Sequence, residues 1–229
     1  MRTLYIQNGI EAFHVRTSWG GSLDRRATEL RKEILRFTDN FNRWSRIHII
    51  AHSMGGLDAR WMIYKFKMSD QVASLTTIGT PHHGTAYADW ALKYFGRLFD
   101  FATTAGLDLQ GVKSLSRAAC KGLNELLAEF EEKNGVIYRT IAGVQPMEQI
   151  FLSLRPSYRI IWQEEGENDG LVSLRSAMWK KEYFLDQIDA DHLNQIGWWD
   201  GGRAMGTTDK ANFEKRILEV YLDIVRTLP

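Results

Sequence analysis

The sequence predicts an α/β domain whose mostly parallel sheet is covered on both faces by helices. Short runs rich in β-branched residues alternate with stretches of helical period, and the runs close on small-residue turns. No repeat, low-complexity tract or linker interrupts the 229 residues, and the four prolines lie far apart. A single domain over residues 1–229 follows, with a strand-free, helical insertion over 86–134.

Taken in order, Ser22 to Phe37 reads as the first helix, with Ser22 as its cap and Asp24 in its first turn. Arg46 to Ala51 (RIHIIA) has the length and β-branching of a buried strand, and Leu57 to Phe66 follows as a helix. Leu75 to Gly79, Ile137 to Ala142 and Tyr158 to Gln163 (YRIIWQ) resemble the first strand in composition, and His14, after Phe13, is assigned to a further strand. Helical periods cover Ala86 to Ala102, Leu115 to Phe130 and Thr208 to Leu228.

Composition removes several classes of function. The chain carries 29 Lys and Arg against 28 Asp and Glu, so it has no basic excess of the kind that binds nucleic acid. Cys120 is the single cysteine, which excludes an intrachain disulfide and a paired-cysteine metal or redox site. The opening MRTLYIQNGIEAF places Gln7, Asn8 and Glu11 where a signal peptide needs an apolar run, so a cytoplasmic location is expected unless a late start hides a leader. No apolar run is long enough to span a membrane.

Open α/β sheets place their sites in loops at the carboxyl ends of strands. The turn Ala51-His52-Ser53-Met54-Gly55-Gly56 joins a strand run to a helical run there, and it has the A-x-S-x-G form of a nucleophile elbow. Such a turn lifts a serine hydroxyl above the sheet. The helix that follows aims its free N–H groups at the place where an oxyanion would develop, with the Met54 N–H as the first donor.

Four blocks occur in order: AHSMGGLDAR, LTTIGTPHHGT (Leu75 to Thr85), ENDGLVS (Glu167 to Ser173) and DHLNQIGW (Asp191 to Trp198). Together they resemble the bacterial lipase and triacylglycerol lipase family of the α/β-hydrolase superfamily. The resemblance implies an α/β-hydrolase fold with a helical cap or lid over 86–134, and a triad of Ser53, Asp169 and His192 in the superfamily's chain order. It carries the base onto His192, the acid onto Asp169 in N-D-G-L-V, and leaves the second oxyanion donor unassigned.

The remaining residues leave alternatives. Asp189 and Asp191 compete for the acid's place but lie too close in sequence to His192 to hold it from behind. Glu164, Glu165 and Glu167 read as a solvated acidic loop, and His48 as a packed strand histidine. His82 and His83 lie near the site and read as supporting or structural residues rather than the base; His52, His82, Trp90 and Tyr94 are also the candidate substrate contacts, although an aromatic stripe on a helix is by default a core face. Trp198 and Trp199 either line an acyl site or pack.

Family members open with a strand ending in His-Gly that supplies the second oxyanion N–H. Here Leu4, Gly9, Phe13, Arg16 and Gly21-Ser22 align with the family's next segment, so the chain starts about one strand and one helix late, which would uncover sheet edges and favour a dimer. Some members bind calcium through a carboxylate two residues after the histidine; that position is Asn194, and no metal or cofactor is expected. The expected function is a serine carboxylester hydrolase acting on a small-molecule or lipid ester, with interfacial contact with lipid left open. The alternatives are a thioesterase, acyltransferase or amidase with the same triad, or a non-catalytic member that binds a lipid or a partner.

Overall fold

The computed structural model describes residues 11–18, 20–104 and 110–228, with the side chains of 97–104 left aside. Leu4, Gly9, Leu98 and Phe101 therefore lie outside the description. Residues 11–18 contain no strand, so His14 does not sit in one.

Helix α1 (Leu23–Phe37) starts where the hydroxyl of Ser22 accepts the Arg25 N–H. Strand β1 (Ile47–His52) leads through Ser53 into α2 (Met54–Lys65), and β2 (Val72–Ile78) follows. The strand-free region folds as α3 (Ala86–Thr104), the short α4 (Gln110–Lys113) and α5 (Arg117–Lys133), the last capped by Ser116. Then come β3 (Ile137–Gly143), α6 (Arg155–Glu165), α7 (Leu174–Met178), β4 (Phe184–Ile188) and α8 (Lys210–Arg226).

Among the described residues the sheet has four strands in the order β1-β2-β3-β4, and every pairing is parallel. In the register Ile50 meets Thr76, Thr77 meets Thr140 and Gly143 meets Ile188. Side chains alternate along each strand and separate two cores. Ile47, Ile49, Ala51, Leu75 and Tyr138 pack with Ala59, Met62 and Ile63 of α2 and with Ala27 and Ile34 of α1. Ile50, Ile78, Ile141 and Ile188 face the other way, onto Phe213, Ile217 and Tyr221 of α8.

The sequence expectation fails at one strand. Tyr158–Gln163 is part of α6, because Pro156 stands in the helix's first turn and Ser157, Tyr158 and Ile161 form one buried stripe. The fourth strand is Phe184–Ile188, an outer strand whose middle residues Leu185, Asp186 and Gln187 are exposed; an open edge needs no apolar run.

Two buried ion pairs stitch the helices to the core. Arg26 of α1 reaches both carboxylate oxygens of Asp58 in α2, at 2.9 and 3.1 Å. Arg60 of α2 reaches Glu131 of α5 at 2.7 and 3.0 Å, lies 3.9 Å above the Trp179 ring and also meets Asn124. Breaking one side of such a pair leaves a bare charge in the interior. Arg60→Met should therefore lower the unfolding free energy by about 3–5 kcal/mol, whereas Arg60→Met with Glu131→Leu should recover most of it. Urea unfolding of the three proteins checks this, and equal losses in both variants would refute it.

Candidate active site

The turn at Ser53 has φ 55° and ψ −134°, a conformation that a non-glycine residue holds only when its surroundings impose it. Those surroundings are explicit: Ser53 N–H donates to Ile78 O at 2.9 Å, and Thr80 Oγ1 donates to Ser53 O at 2.6 Å. The small residue that the packing demands is Gly56. A Cβ there would overlap Thr80 Oγ1 and come within 2.8 Å of Thr77 Cγ2, whereas one at Gly55 would meet Ala51 at an ordinary 3.9 Å.

His192 lies on the loop after β4, and its Nε2 is 2.8 Å from Ser53 Oγ. Its Nδ1 is 2.8 Å from Asp169 Oδ2, and its backbone N–H donates to Asp169 O at 2.8 Å. The sequence separations of 139 and 23 residues are thus closed into one hydrogen-bonded chain.

Asp169 is fully buried. Burial alone would raise its pKa; the charge of His192 and hydrogen bonds from His192, Leu171 and Val172 outweigh it and lower the carboxyl below its ordinary value. Oδ1 accepts the N–H groups of Leu171 at 2.9 Å and Val172 at 2.7 Å. Oδ2 accepts a further donor that the sequence did not announce, Gln195 Nε2, at 2.7 Å. The block around Asp169 holds itself in shape: Asn168 Oδ1 accepts from Gly170 N–H at 2.9 Å, and Gly170 has φ +97°.

The competing acids are committed elsewhere. Asp191 accepts backbone N–H groups from Leu193, Asn194 and Phe151 at 2.8–2.9 Å, and exposed Asp189 accepts from Gly206. Glu165 is not a solvated loop residue, since it accepts the Ala86 N–H at 2.6 Å at the start of α3 and is bonded to the Ser173 hydroxyl.

A family model described as a PGAP1-like alpha/beta domain matches residues 12–124. The chain is 31% identical over 185 residues to Triacylglycerol lipase 2 of Saccharomyces cerevisiae, which covers 78% of this chain and 55% of that protein. It therefore spans about half the length of that relative. A shorter stretch of 47 residues is 47% identical to a triacylglycerol lipase of Burkholderia plantarii. Among solved structures, a metagenomic carboxyl esterase superposes with a TM-score of 0.75 at 20% identity, covering 97% of this chain and 68% of that one. The mature lipase of Bacillus licheniformis gives 0.64 at 20% identity, over 89% of this chain and 74% of that one. The chain shares the α/β-hydrolase fold of these lipases and esterases.

Around the hydroxyl of the elbow serine, the His52 ring packs tilted against His192, with ring centroids 4.5 Å apart and planes at 46°. The residue is partly exposed, with its Nε2 shielded from solvent and its side chain meeting the Gln195 amide. Burial, then the charge of His192, push its pKa down to about 3. His82 is fully buried, with Arg60 Nη1 3.2 Å from Nδ1, Thr77 Oγ1 2.9 Å from Nε2 and Trp179 stacked at 4.3 Å. Nothing of its ring is left for a substrate, which corrects the expectation of a contact there. Its neighbour His83 is exposed and bonded to Trp179 O at 2.9 Å. Exposed His48 is bonded to Ser74 Oγ at 2.8 Å.

On α3, Trp90 touches Tyr87, Tyr94 and Phe95, and Tyr94 and Phe95 are 59% and 44% exposed, so the stripe is not simply a core face. Two hollows of about 390 and 430 Å³ lie against Trp61 and Tyr64 of α2, and neither is lined by Ser53, Asp169 or His192. Asn194 spends its amide on Trp198 O at 2.7 Å, and among the described residues no three His, Cys, Asp or Glu side chains converge as a metal site would require.

The buried histidines set a pH dependence. His52 and His82 are held below their ordinary value by burial, so the unfolded chain takes up protons that the folded one refuses. Their stabilisation is complete above about pH 6.5 and is lost as pH falls from there. Asp58 and Asp191, raised to about 6 chiefly by burial, act in the opposite sense and bind protons in the folded state below that pH. The unfolding free energy should fall by roughly 1–2 kcal/mol between pH 7.5 and 6 and then level towards pH 4.5. Urea titrations across that range check this, and a value that rises on going from pH 7.5 to 6 would contradict it.

Proposed function

We propose that this chain is a serine carboxylester hydrolase of the lipase and esterase kind, in which Ser53, His192 and Asp169 are the catalytic residues. The observation that carries the reading is the unbroken series Asp169 Oδ2, His192 Nδ1, His192 Nε2 and Ser53 Oγ, with 2.8 Å at each hydrogen bond. Similarity to the yeast lipase, and a fold shared with bacterial lipases and esterases, point to the same chemistry.

In this reading His192 Nε2 removes the Ser53 proton as Oγ attacks the ester carbonyl, and a tetrahedral oxyanion forms. The Met54 N–H, at the positive end of α2, faces that oxyanion. Asp169 stabilises the resulting imidazolium and keeps its tautomer. Collapse breaks the bond to the alcohol, which leaves with the proton from His192. Water, deprotonated by His192, then attacks the acyl-enzyme and releases the acid. The exposed rings of Tyr94 and Phe95, beside the partly buried Trp90, make α3 the part of the 86–134 region suited to meet an acyl chain, while α5 is tied into the scaffold through Leu123 and Leu127 packing on Leu57.

Hydrolysis of p-nitrophenyl esters from acetate to palmitate tests the proposal. Ser53→Ala and His192→Ala should abolish turnover, and Asp169→Asn should lower kcat by on the order of 10⁴-fold. Ester turnover that survives Ser53→Ala, or folded protein without Ser53-dependent turnover, would overturn it. Exclusive turnover of acyl thioesters would move the same triad to a thioesterase.

A further inference from the structure

We infer that Gln195 is a positioning residue for the Asp169 carboxylate, donating from Nε2 to the oxygen that also holds His192; this rests on the proposed triad. Gln195 is 1% exposed, and its side-chain amide meets both the Asp169 carboxylate and the His52 side chain. A buried amide is tolerated where it is hydrogen-bonded, and here its donor side is spent on the Asp169 carboxylate at 2.7 Å. Turning the amide over would set Oε1 against Asp169 Oδ2, acceptor against acceptor.

Two strand ends make room for this amide. Gly79 closes β2 with φ +56°, and a Cβ there would overlap Gln195 Oε1 and approach Asp169 Oδ2 to 3.1 Å. Gly143 closes β3, and a Cβ there would overlap Gln195 Nε2 and the Ala190 carbonyl. The backbone of Gln195 is also pinned, with its N–H on Asp191 O at 3.1 Å and its carbonyl accepting from Tyr221 Oη of α8 at 3.0 Å. Neither the backbone nor the amide has freedom to drift from the carboxylate.

The consequence concerns the proton held by His192. An ionised carboxylate has about four lone-pair sites. Asp169 fills them with Leu171 and Val172 on Oδ1 and with His192 and Gln195 on Oδ2. Gln195 thereby fixes the carboxylate plane and leaves one direction of Oδ2 for His192 Nδ1. By sharing the charge of Oδ2 it also weakens the pull of the carboxylate on the imidazolium. Without that donor the imidazolium is held more tightly, and a higher pH is needed to free the base.

Gln195→Met, which keeps the length and bulk of the side chain, and Gln195→Glu, which replaces the donor with a second carboxylate, test this. The readouts are kcat, KM and the pH profile of kcat/KM with p-nitrophenyl butyrate, together with the low-field proton resonance of His192 Nδ1–H, which needs no turnover. In Gln195→Met, kcat should fall roughly tenfold, the order expected for loss of one hydrogen bond to a charged group, with KM unchanged. The acid limb should move to higher pH and the low-field resonance should shift. Gln195→Glu should move the acid limb further in the same direction, because a second negative charge beside Asp169 stabilises the imidazolium more. An acid limb and a resonance that stay at their wild-type positions in both variants would reduce Gln195 to a space-filler and overturn the inference, whatever happens to kcat. A resonance that shifts in protein without Ser53-dependent turnover would uphold Gln195 and sink the hydrolase reading; Ser53-dependent turnover with an unmoved profile and resonance would do the reverse.

Discussion

The sharp reversal of the chain at Ser53 is the constraint from which the rest of the site follows. A serine at φ 55° is strained, and it is held because the strand before it is hydrogen-bonded to β2, the helix after it is packed on both strands, and Thr80 grips its carbonyl. The close approach of α2 to the end of β2 leaves no space for a side chain at Gly56. Once that turn is set, the hydroxyl is lifted above the sheet and the helix dipole points at it. His192 and Asp169 need only reach the same rim.

His192 reaches it from the loop after β4, and Asp169 from the loop between α6 and α7. The His192 backbone N–H bonds to the carbonyl of Asp169, so the two residues are linked through main chain as well as side chain. The T-P-H-H-G-T loop contributes two threonine hydroxyls to this frame, Thr80 on Ser53 O and Thr85 on Leu171 O at 2.8 Å. A buried carboxylate is tolerable here because four donors surround it. The same rule governs Asp58 and Glu131, which are matched by the guanidinium groups of Arg26 and Arg60. Charge inside this molecule occurs where a fork of donors meets it.

Legibility from sequence followed how local the cause was. The elbow, the Asn168-Asp169-Gly170 turn and the Ser22 cap are each decided within a few residues, and all were readable. The helix at Tyr158 was misread because Ile160-Ile161 mimics a strand, while the local signal that decided it, Pro156 at the helix start, carried less weight. Strand β4 was passed over because an outer strand with exposed Asp186 and Gln187 shows no apolar run. His82 looked like a site residue from its neighbours in the chain, and became an interior one because Arg60, Thr77 and Trp179 close around it from three other elements.

By itself the sequence determined the alternation of strands and helices, the residue placed on the elbow, and the order of serine, aspartate and histidine. Periodicity, turn chemistry and residue type are properties of neighbours in the chain, and they survive without knowledge of the fold. Only the tertiary structure decided that Asp169, rather than Asp189 or Asp191, stands behind His192. It alone brought Gln195 into the slot left by Gly79 and Gly143. These contacts join residues tens of positions apart, and their existence depends on where the ends of three parallel strands lie relative to one another, which no local pattern encodes.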